Sequence, residues 1–460
     1  VLLVRPGPVA GWFAQDAPPT TAPTAPPEPS PSPVLAAAAD APAPTPAGVR
    51  AAIDKLVTGA GLGGRLSVSV TDVTTGEALY GRGQEVPAIP ASTTKVVTAV
   101  TALAARGPVY RIPTRVVAGS TPGEVVLVGG GDPTLSVAGA GTYPGAARLD
   151  QLAAQVKKAF GGAAVTSVLV DSSLYTGPVF GPGWDADIPT GGFAGPVTAL
   201  MTDGGRINPK QLAPAERYAD PDVAAGQAFA RALKLPATAV KAVRKGKAPA
   251  DVAAGPTASA SAAEPPAPGT ELGRVESPPM LRLVEIMLAE SDNIVAEALA
   301  RQVALARDKP ASYAGAAAAV DAVLAELGLP ARESALADGS GLSRTNRLTA
   351  SALTDILAYA AGGQRPELAG LLTGLPVAGW SGTLIDRFQA KSGSGKAGIG
   401  VVRAKTGTLS AVDAMAGVVV TADGRMLAFA LLADGVTAGH WDAQATLDAI
   451  AARLAACGCR

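Results

Sequence analysis

The stretch Ser92–Gly107, STTKVVTAVTALAARG, decides the fold. Val96, Val100 and Leu103 recur at i, i+4 and i+7, and Gly107 closes the run, so a buried helix ending near Arg106 is expected. Just upstream, RLSVSVTDVTTGEALYGRG alternates Leu66, Val68 and Val70 before a turn at Thr74-Thr75-Gly76, which is a hairpin signal. Near the other end, GVVVTADGRMLAFALLADG supplies two apolar strands around the Asp423-Gly424 turn, then a helix from about Asp442 to Leu454. Between them, Leu281, Val284 and Leu288 make one helical face before AESDN, and a further helix is expected from about Ile294 to Arg307. Strands open the core, helices fill it, and strands plus a helix close it. That order suits an α+β sandwich whose antiparallel sheet joins the two ends of the chain.

The remainder divides around this core. Residues 1–47 include a Pro/Ala/Thr-rich run from Ala17 to Ala47 that builds no packed core and reads as a semi-rigid spacer. Folded sequence is expected from near Val49, with the core domain made of residues 48–107 and 276–460. Residues 108–275 mix short strands (RIPTRVVAG, EVVLVGGGD, VTSVLVDSS) with helices (ARLDQLAAQVKKAF, DVAAGQAFARALKL) and read as one or two inserted domains, with a linker or surface loop at 248–269. Val1–Val4 is too short to span a bilayer, and a membrane anchor upstream of Val1 is left open.

Composition excludes several functions. The 38 basic and 38 acidic groups balance, whereas a nucleic-acid or anionic-membrane binder needs a basic excess. Aromatics at 4% are too few for base-stacking platforms. His440 is the sole histidine, so a Ser-His-Asp triad would have to use it, and a zinc site built on two or three histidines is impossible. Cys457 and Cys459 are the two cysteines, too few for a four-thiolate zinc site or an iron–sulfur cluster; they either pair or stay free. No metal and no cofactor is implied.

Three short motifs occur in order: Ser92-Thr93-Thr94-Lys95 opening a helix, Ser291-Asp292-Asn293 between two helices, and Lys405-Thr406-Gly407-Thr408 opening a strand. They are S-x-x-K, S-D-N and K-T-G. S-x-x-K alone says nothing, with ~0.65 matches expected by chance, but all three together are expected only ~0.01 times. The spacing has a physical reason. Residues i and i+3 share a helix face, so the Lys95 ammonium reaches the Ser92 hydroxyl, which needs an adjacent base. At the start of a helix, the Ser92 N–H is free to serve an oxyanion hole. A buried Lys95 beside a second cation such as Lys405 is expected to have a lowered pKa.

With these motifs the chain resembles the low-molecular-mass class C penicillin-binding proteins, the serine-type D-alanyl-D-alanine carboxypeptidases/endopeptidases. The resemblance extends to LVGGGDPTLS (127–136), VTALMTDGG (197–205), MLAESDNIVAEAL (287–299), DGSGLSRTNRLT (338–349) and LPVAGWSGTL (375–384). It implies the penicillin-binding/β-lactamase-like transpeptidase fold, a five-stranded antiparallel sheet flanked by helices, with large inserted domains. It implies that Ser92 is acylated with Lys95 as base. Ser291 relays a proton to the leaving amine with Lys405 behind it, and Asn293 holds the substrate amide. Thr406, Gly407 and Thr408 bind the substrate, the two threonines at its terminal carboxylate, and the Ser92 and Thr408 N–H groups form the oxyanion hole. The implied partners are peptidoglycan stem peptides, with β-lactams as covalent inhibitors, at an extracytoplasmic location, secreted or membrane-anchored.

Two rivals carry other functions. A serine β-lactamase is weakened by the spacing of about 200 residues between Ser92 and Ser291, far more than a loop spans, and by the lack of a Glu-x-x-Leu-Asn; Glu326-Leu-Gly-Leu-Pro departs from it. A non-catalytic wall-binding module would not keep all three motifs intact. Beyond the motifs, Asp187 or Asp185 in GWDAD is a candidate for a stem-peptide ammonium, and Arg344 in GLSR for its carboxylate. Asp132 is expected to fix a turn and His440 to be structural.

Overall fold

A computed structural model describes residues 41–139, 141–250, 266–389 and 393–460. Most of the spacer expected before residue 47, and most of the linker expected at 248–269, lie outside the described residues. Helix α1 (Pro46–Thr58) starts a few residues before the folded sequence expected from near Val49. The Thr45 side chain accepts the Gly48 N–H at 3.0 Å, and Pro46 takes the first helical position, where its missing N–H costs nothing. Strands β1 (Arg65–Asp72) and β2 (Ala78–Arg82) form the expected hairpin. Its turn is tied by Asp72 Oδ1, which accepts the Thr74 and Thr75 N–H groups at 2.8 and 3.0 Å.

The hairpin joins the C-terminal strands β10 (Arg403–Leu409), β11 (Val412–Val420) and β12 (Met426–Asp434) in one antiparallel sheet of order β10-β11-β12-β1-β2. β1 pairs with β12 from Arg65↔Asp434 to Asp72↔Leu427, and a buried ion pair, Arg425 Nε to Asp72 Oδ2 at 2.7 Å, locks the far end of that seam. β11 and β12 are buried at nearly every position. Alternate residues serve opposite cores, as strand geometry requires. Ala414, Ala416, Val418, Ala428, Ala430 and Leu432 face a core built with helices α2 (Thr94–Arg106), α6 (Met280–Ala289), α7 (Asn293–Leu305), α8 (Tyr313–Glu326) and α9 (Ala350–Ala361). Met415, Val419, Leu427, Phe429 and Leu431 face a second core with α1 and α11 (His440–Ala455). Covered on both faces, these strands read in the sequence as continuous apolar runs. A two-residue ladder, β8 (Ser334–Ala335) with β9 (Arg347–Leu348), and the short helix α10 (Gly370–Gly374) complete this half.

Between α2 and α6 the chain builds a second five-stranded sheet from β3 (Pro113–Ala118), β4 (Glu124–Val128), β5 (Ser167–Asp171), β6 (Arg244–Lys245) and β7 (Glu271–Glu276), in the order β6-β5-β4-β3-β7. The β4–β5 and β5–β6 pairs are parallel, whereas β3 runs antiparallel to both its neighbours. Helices α3 (Leu149–Ala159) and α4 (Pro221–Ala232) supply Leu152, Val156 and Phe229 to its own core, and the short α5 (Ala237–Lys241) leads into β6. Arg244 and Lys245 make that edge strand charged and exposed, which discourages pairing with another chain. At the far edge Glu276 still pairs with Pro113, so the sheet runs one residue past the boundary read from the sequence. No helix among the described residues is long and apolar enough to cross a membrane.

Candidate active site

Ser92 lies in a 3-10 turn, Ala91–Thr93, that feeds α2. The regular helix thus starts two residues after the serine. The turn is pinned by Pro90, whose carbonyl accepts both the N–H and the hydroxyl of Thr93. One turn on, Lys95 is fully buried, and its Nζ donates to Ser92 Oγ at 2.9 Å, Asn293 Oδ1 at 2.7 Å and the Ser340 carbonyl at 2.6 Å. All three ammonium protons are therefore committed. Burial drives the Lys95 pKa down to about 8, against the opposing charges of Asp338, Glu297 and Asp292. Of the two causes expected from the sequence, burial and a neighbouring Lys405 charge, burial is the one that lowers it. Lys405 is itself fully buried, and burial, followed by the Lys95 charge, holds its pKa well below the ordinary lysine value.

Two glycines let the chain close on Ser92. Gly341 has φ +86, and a side chain there would collide with the Ala91 carbonyl and sit 3.0 Å from the Ser92 nitrogen. A Cβ at Gly407 would likewise lie 3.0 Å from the Ser92 nitrogen, so β10 runs edge-on against the serine turn. On that strand Thr406 shares a 2.7 Å hydrogen bond with Thr383, and Thr408 donates to Asp413 Oδ1 at 3.2 Å. Lys405 Nζ donates to the Thr406 carbonyl at 2.7 Å. Asp413, buried on the neighbouring strand β11, also receives His440 Nδ1 on Oδ2 at 2.7 Å, which links the one histidine to Thr408 through a shared carboxylate.

The S-D-N turn completes the group. Ser291 has φ +55, uncommon for a serine, and Asn293 spans the cleft: Oδ1 accepts from Lys95, while Nδ2 donates to the Phe193 carbonyl of the insertion at 3.0 Å. Asp187 and Arg344 are not partners. Arg344 is engaged by Asp185, at 2.8 Å, and donates to the Ser410 carbonyl at the β10–β11 turn. The Asp187 side chain is exposed. Asp132 closes a local turn by accepting the N–H and hydroxyl of Thr134. Cys457 and Cys459 are joined in a disulfide, their Cα atoms 5.0 Å apart.

Comparison with known proteins matches residues 49–245 and 216–457 to the D-Ala-D-Ala carboxypeptidase 3 (S13) family. A carboxypeptidase of Mycobacterium tuberculosis is 40% identical over 420 residues, 90% of this chain and 85% of the relative. The carboxypeptidase DacB of Mycolicibacterium smegmatis is 41% identical over 401 residues, 86% and 81% of the two chains. The chain belongs to the S13 family of D-Ala-D-Ala carboxypeptidases. It is a serine-type enzyme of that class. Penicillin-binding protein 4 of Haemophilus influenzae shares the fold of this carboxypeptidase, with a TM-score of 0.66 at 22% identity over 87% of this chain and 98% of that one.

Several residues around Lys95 in the carboxypeptidase carried no role in the sequence. Glu297 accepts the Gly339 and Ser340 N–H groups on Oε1 and pairs with Arg301 through Oε2 at 3.1 Å, which holds the Ser340 carbonyl toward Lys95. Asp338 accepts from Trp184 Nε1 at 2.7 Å and from the Gly341 and Ser343 N–H groups, fixing the same loop. One signal was present. Glu297 and Arg301 sit four and eight residues after Asn293, on one stripe of a largely apolar helix. A charged pair there has no reason to exist unless something polar faces it.

Proposed function

We propose that the carboxypeptidase cleaves the terminal D-alanine from peptidoglycan stem peptides through a Ser92 acyl-enzyme, at the outer face of the cytoplasmic membrane or in the wall. The observation that carries this reading is the buried Lys95 ammonium 2.9 Å from Ser92 Oγ with its pKa lowered to about 8. About a tenth of such a lysine is neutral at pH 7, enough to take the hydroxyl proton as general base. Ser92 Oγ attacks the penultimate carbonyl, whose oxyanion is met by the Ser92 and Thr408 N–H groups. Ser291 passes a proton to the leaving amine, Lys405 lends positive charge, and water then releases the acyl group. Asn293 holds the substrate amide. Thr406 and Thr408 meet the terminal carboxylate, and Gly407 lets the peptide's site lie close to the serine turn. β-Lactams enter by the same route; the Haemophilus protein has been solved with a β-lactam bound.

Asp187 is the residue free to meet a stem-peptide ammonium, while Arg344, already paired with Asp185, offers its remaining edge to a carboxylate. The test is D-alanine release from D-Ala-D-Ala peptides with and without that ammonium. The wild type favours the ammonium form by a factor that falls with salt, Asp187→Asn loses the preference, and Ser92→Ala releases none. Equal preference in wild type and Asp187→Asn removes Asp187 from the site, and release by Ser92→Ala removes the nucleophile.

A further inference from the structure

The segment VTALMTDGG (197–205) and the arginine that follows it take no part in the chemistry above. In the fold they reach across from the insertion to the S-D-N turn. We propose that Arg206, seconded by Tyr143, is a positioning residue for acylation: it grips Asp292 and so sets Ser291 and Asn293 against Ser92 and Lys95. The proposal rests on the roles given to Ser291 and Asn293 above.

Asp292 is bound on both oxygens. Oδ1 caps α7 by accepting the Ile294 and Val295 N–H groups at 2.9 and 3.0 Å. Oδ2 accepts Arg206 Nη2 and the Tyr143 hydroxyl, both at 2.8 Å. The two charged side chains are each only 3% exposed, so water does not replace either partner. The guanidinium is held in turn. Nε donates to the Leu212 carbonyl at 2.9 Å, and Nη1 donates to the Asp203 carbonyl at 3.0 Å and to the Tyr143 oxygen at 2.5 Å. Burial alone would raise the Asp292 pKa. The charges of Arg206 and then Arg217 outweigh it and keep the carboxyl below the usual carboxylate range.

The local sequence is built for this grip. Asp203, Gly204 and Gly205 have φ of +51, +63 and +78, a left-handed turn that a Gly-Gly pair adopts without strain. A Cβ at Gly204 would lie 2.7 Å from both Arg206 Nη1 and the Tyr143 oxygen. The Asp203 carboxylate accepts the Thr142 N–H at 2.7 Å, which draws the loop carrying Tyr143 to the same turn.

At the receiving end, Ser291 holds a φ of +55, a conformation a serine keeps only where its surroundings fix it. Its chain neighbour Asp292 is the anchor. On the other side Asn293 is steadied by a second contact from the insertion, the Phe193 carbonyl. The insertion therefore does more than wall the cleft: it sets the geometry of one of the three motifs.

The experiment measures benzylpenicillin acylation by stopped flow in Arg206→Met, Arg206→Lys, Tyr143→Phe and Ser291→Ala, and in Arg206→Met combined with Ser291→Ala. It separates the first-order acylation constant from the preceding dissociation constant. Near-UV circular dichroism and thermal unfolding report the fold. Arg206→Met is expected to slow acylation about 10²-fold, the scale of a 1 Å misplacement, with the dissociation constant little changed. Arg206→Lys, keeping the charge without the fork, recovers part of the rate. In the Ser291→Ala background the further cost of Arg206→Met shrinks several-fold, because the group it positions has gone.

An acylation constant in Arg206→Met within about threefold of wild type overturns the proposal, and so does an equal cost in both backgrounds, which would mean general damage. Should Arg206→Met fail to fold, Tyr143→Phe, which removes one hydroxyl, decides: a several-fold loss confined to the acylation constant supports positioning, and wild-type kinetics overturn it. Unimpaired acylation in Ser291→Ala sinks the reading of Ser291 and the inference with it. A slow Ser291→Ala beside a wild-type-like Arg206→Met sinks the inference alone.

Discussion

On the proposed mechanism the chemistry turns on Lys95, whose burial has a consequence for pH. A basic group with a depressed pKa is held in its charged form only below that pKa, so the neutral, proton-accepting form dominates above it. Acylation by a β-lactam is therefore expected to climb about tenfold per pH unit below about 8 and to level off above it. A flat profile through that range would contradict the assignment of Lys95 as base. Lys95→Ala is expected to lower the acylation constant by about 10²–10⁴-fold, the usual range for a general base. A loss smaller than about tenfold would put the base elsewhere. The clustering of Ser92, Lys95, Asn293 and Lys405 was legible in the sequence because rare residue types fell into fixed short spacings. The Ser340 carbonyl was not, since a backbone acceptor leaves no mark in a sequence; Glu297 and Asp338, which hold it, are related to Lys95 only through the fold.

At the scale of elements, Gly407 on β10 and Gly341 in the loop after Asp338 let both segments close on the turn that leads into α2. Gly341 occupies a left-handed conformation with the Ala91 carbonyl directly beside it. Gly341→Ala is expected to cost about 1–3 kcal/mol of stability from strain and to slow acylation further by displacing the Ser92 turn. Urea unfolding and fluorescent-penicillin labelling measure the two effects, and normal labelling would mean that the serine turn tolerates the shift. The hairpin turn at Thr74-Thr75-Gly76 and the Asp423-Gly424 turn were readable because turn residues carry their own conformational signal. The start of α1 at Pro46 was not, because it lies at the end of a Pro-rich run whose composition masks a local cap, Thr45. The 3-10 lead-in at Ala91–Thr93 was missed for a similar reason: it uses the same residues as a helix N-terminus and differs only in the position of its hydrogen bonds.

The whole molecule is a sheet closed between the two ends of its chain, with a second sheet inserted between two of the helices that cover it. The order of strands and helices was enough to place β1 beside the C-terminal strands. It did not show that the insertion reaches back to the S-D-N turn, because contacts between distant segments leave no periodicity. The seam between chain ends depends on the buried Arg425–Asp72 pair. Arg425→Met leaves the Asp72 carboxylate uncompensated and is expected to cost about 3–5 kcal/mol, read as a lower urea midpoint. Acylation per folded molecule should hold, since the pair lies away from Ser92; a selective loss of labelling with an unchanged midpoint would show instead that the seam acts on the site.

The most direct test of the central claim is fluorescent-penicillin labelling of the wild type and of Ser92→Ala, with the adduct located by peptide mass mapping and its lifetime followed by chase. A long-lived adduct on the peptide carrying Ser92, absent from Ser92→Ala, is the predicted result. An adduct that survives in Ser92→Ala, or that maps to another peptide, would contradict the account, and one that clears within the chase would make the enzyme a lactamase in mechanism.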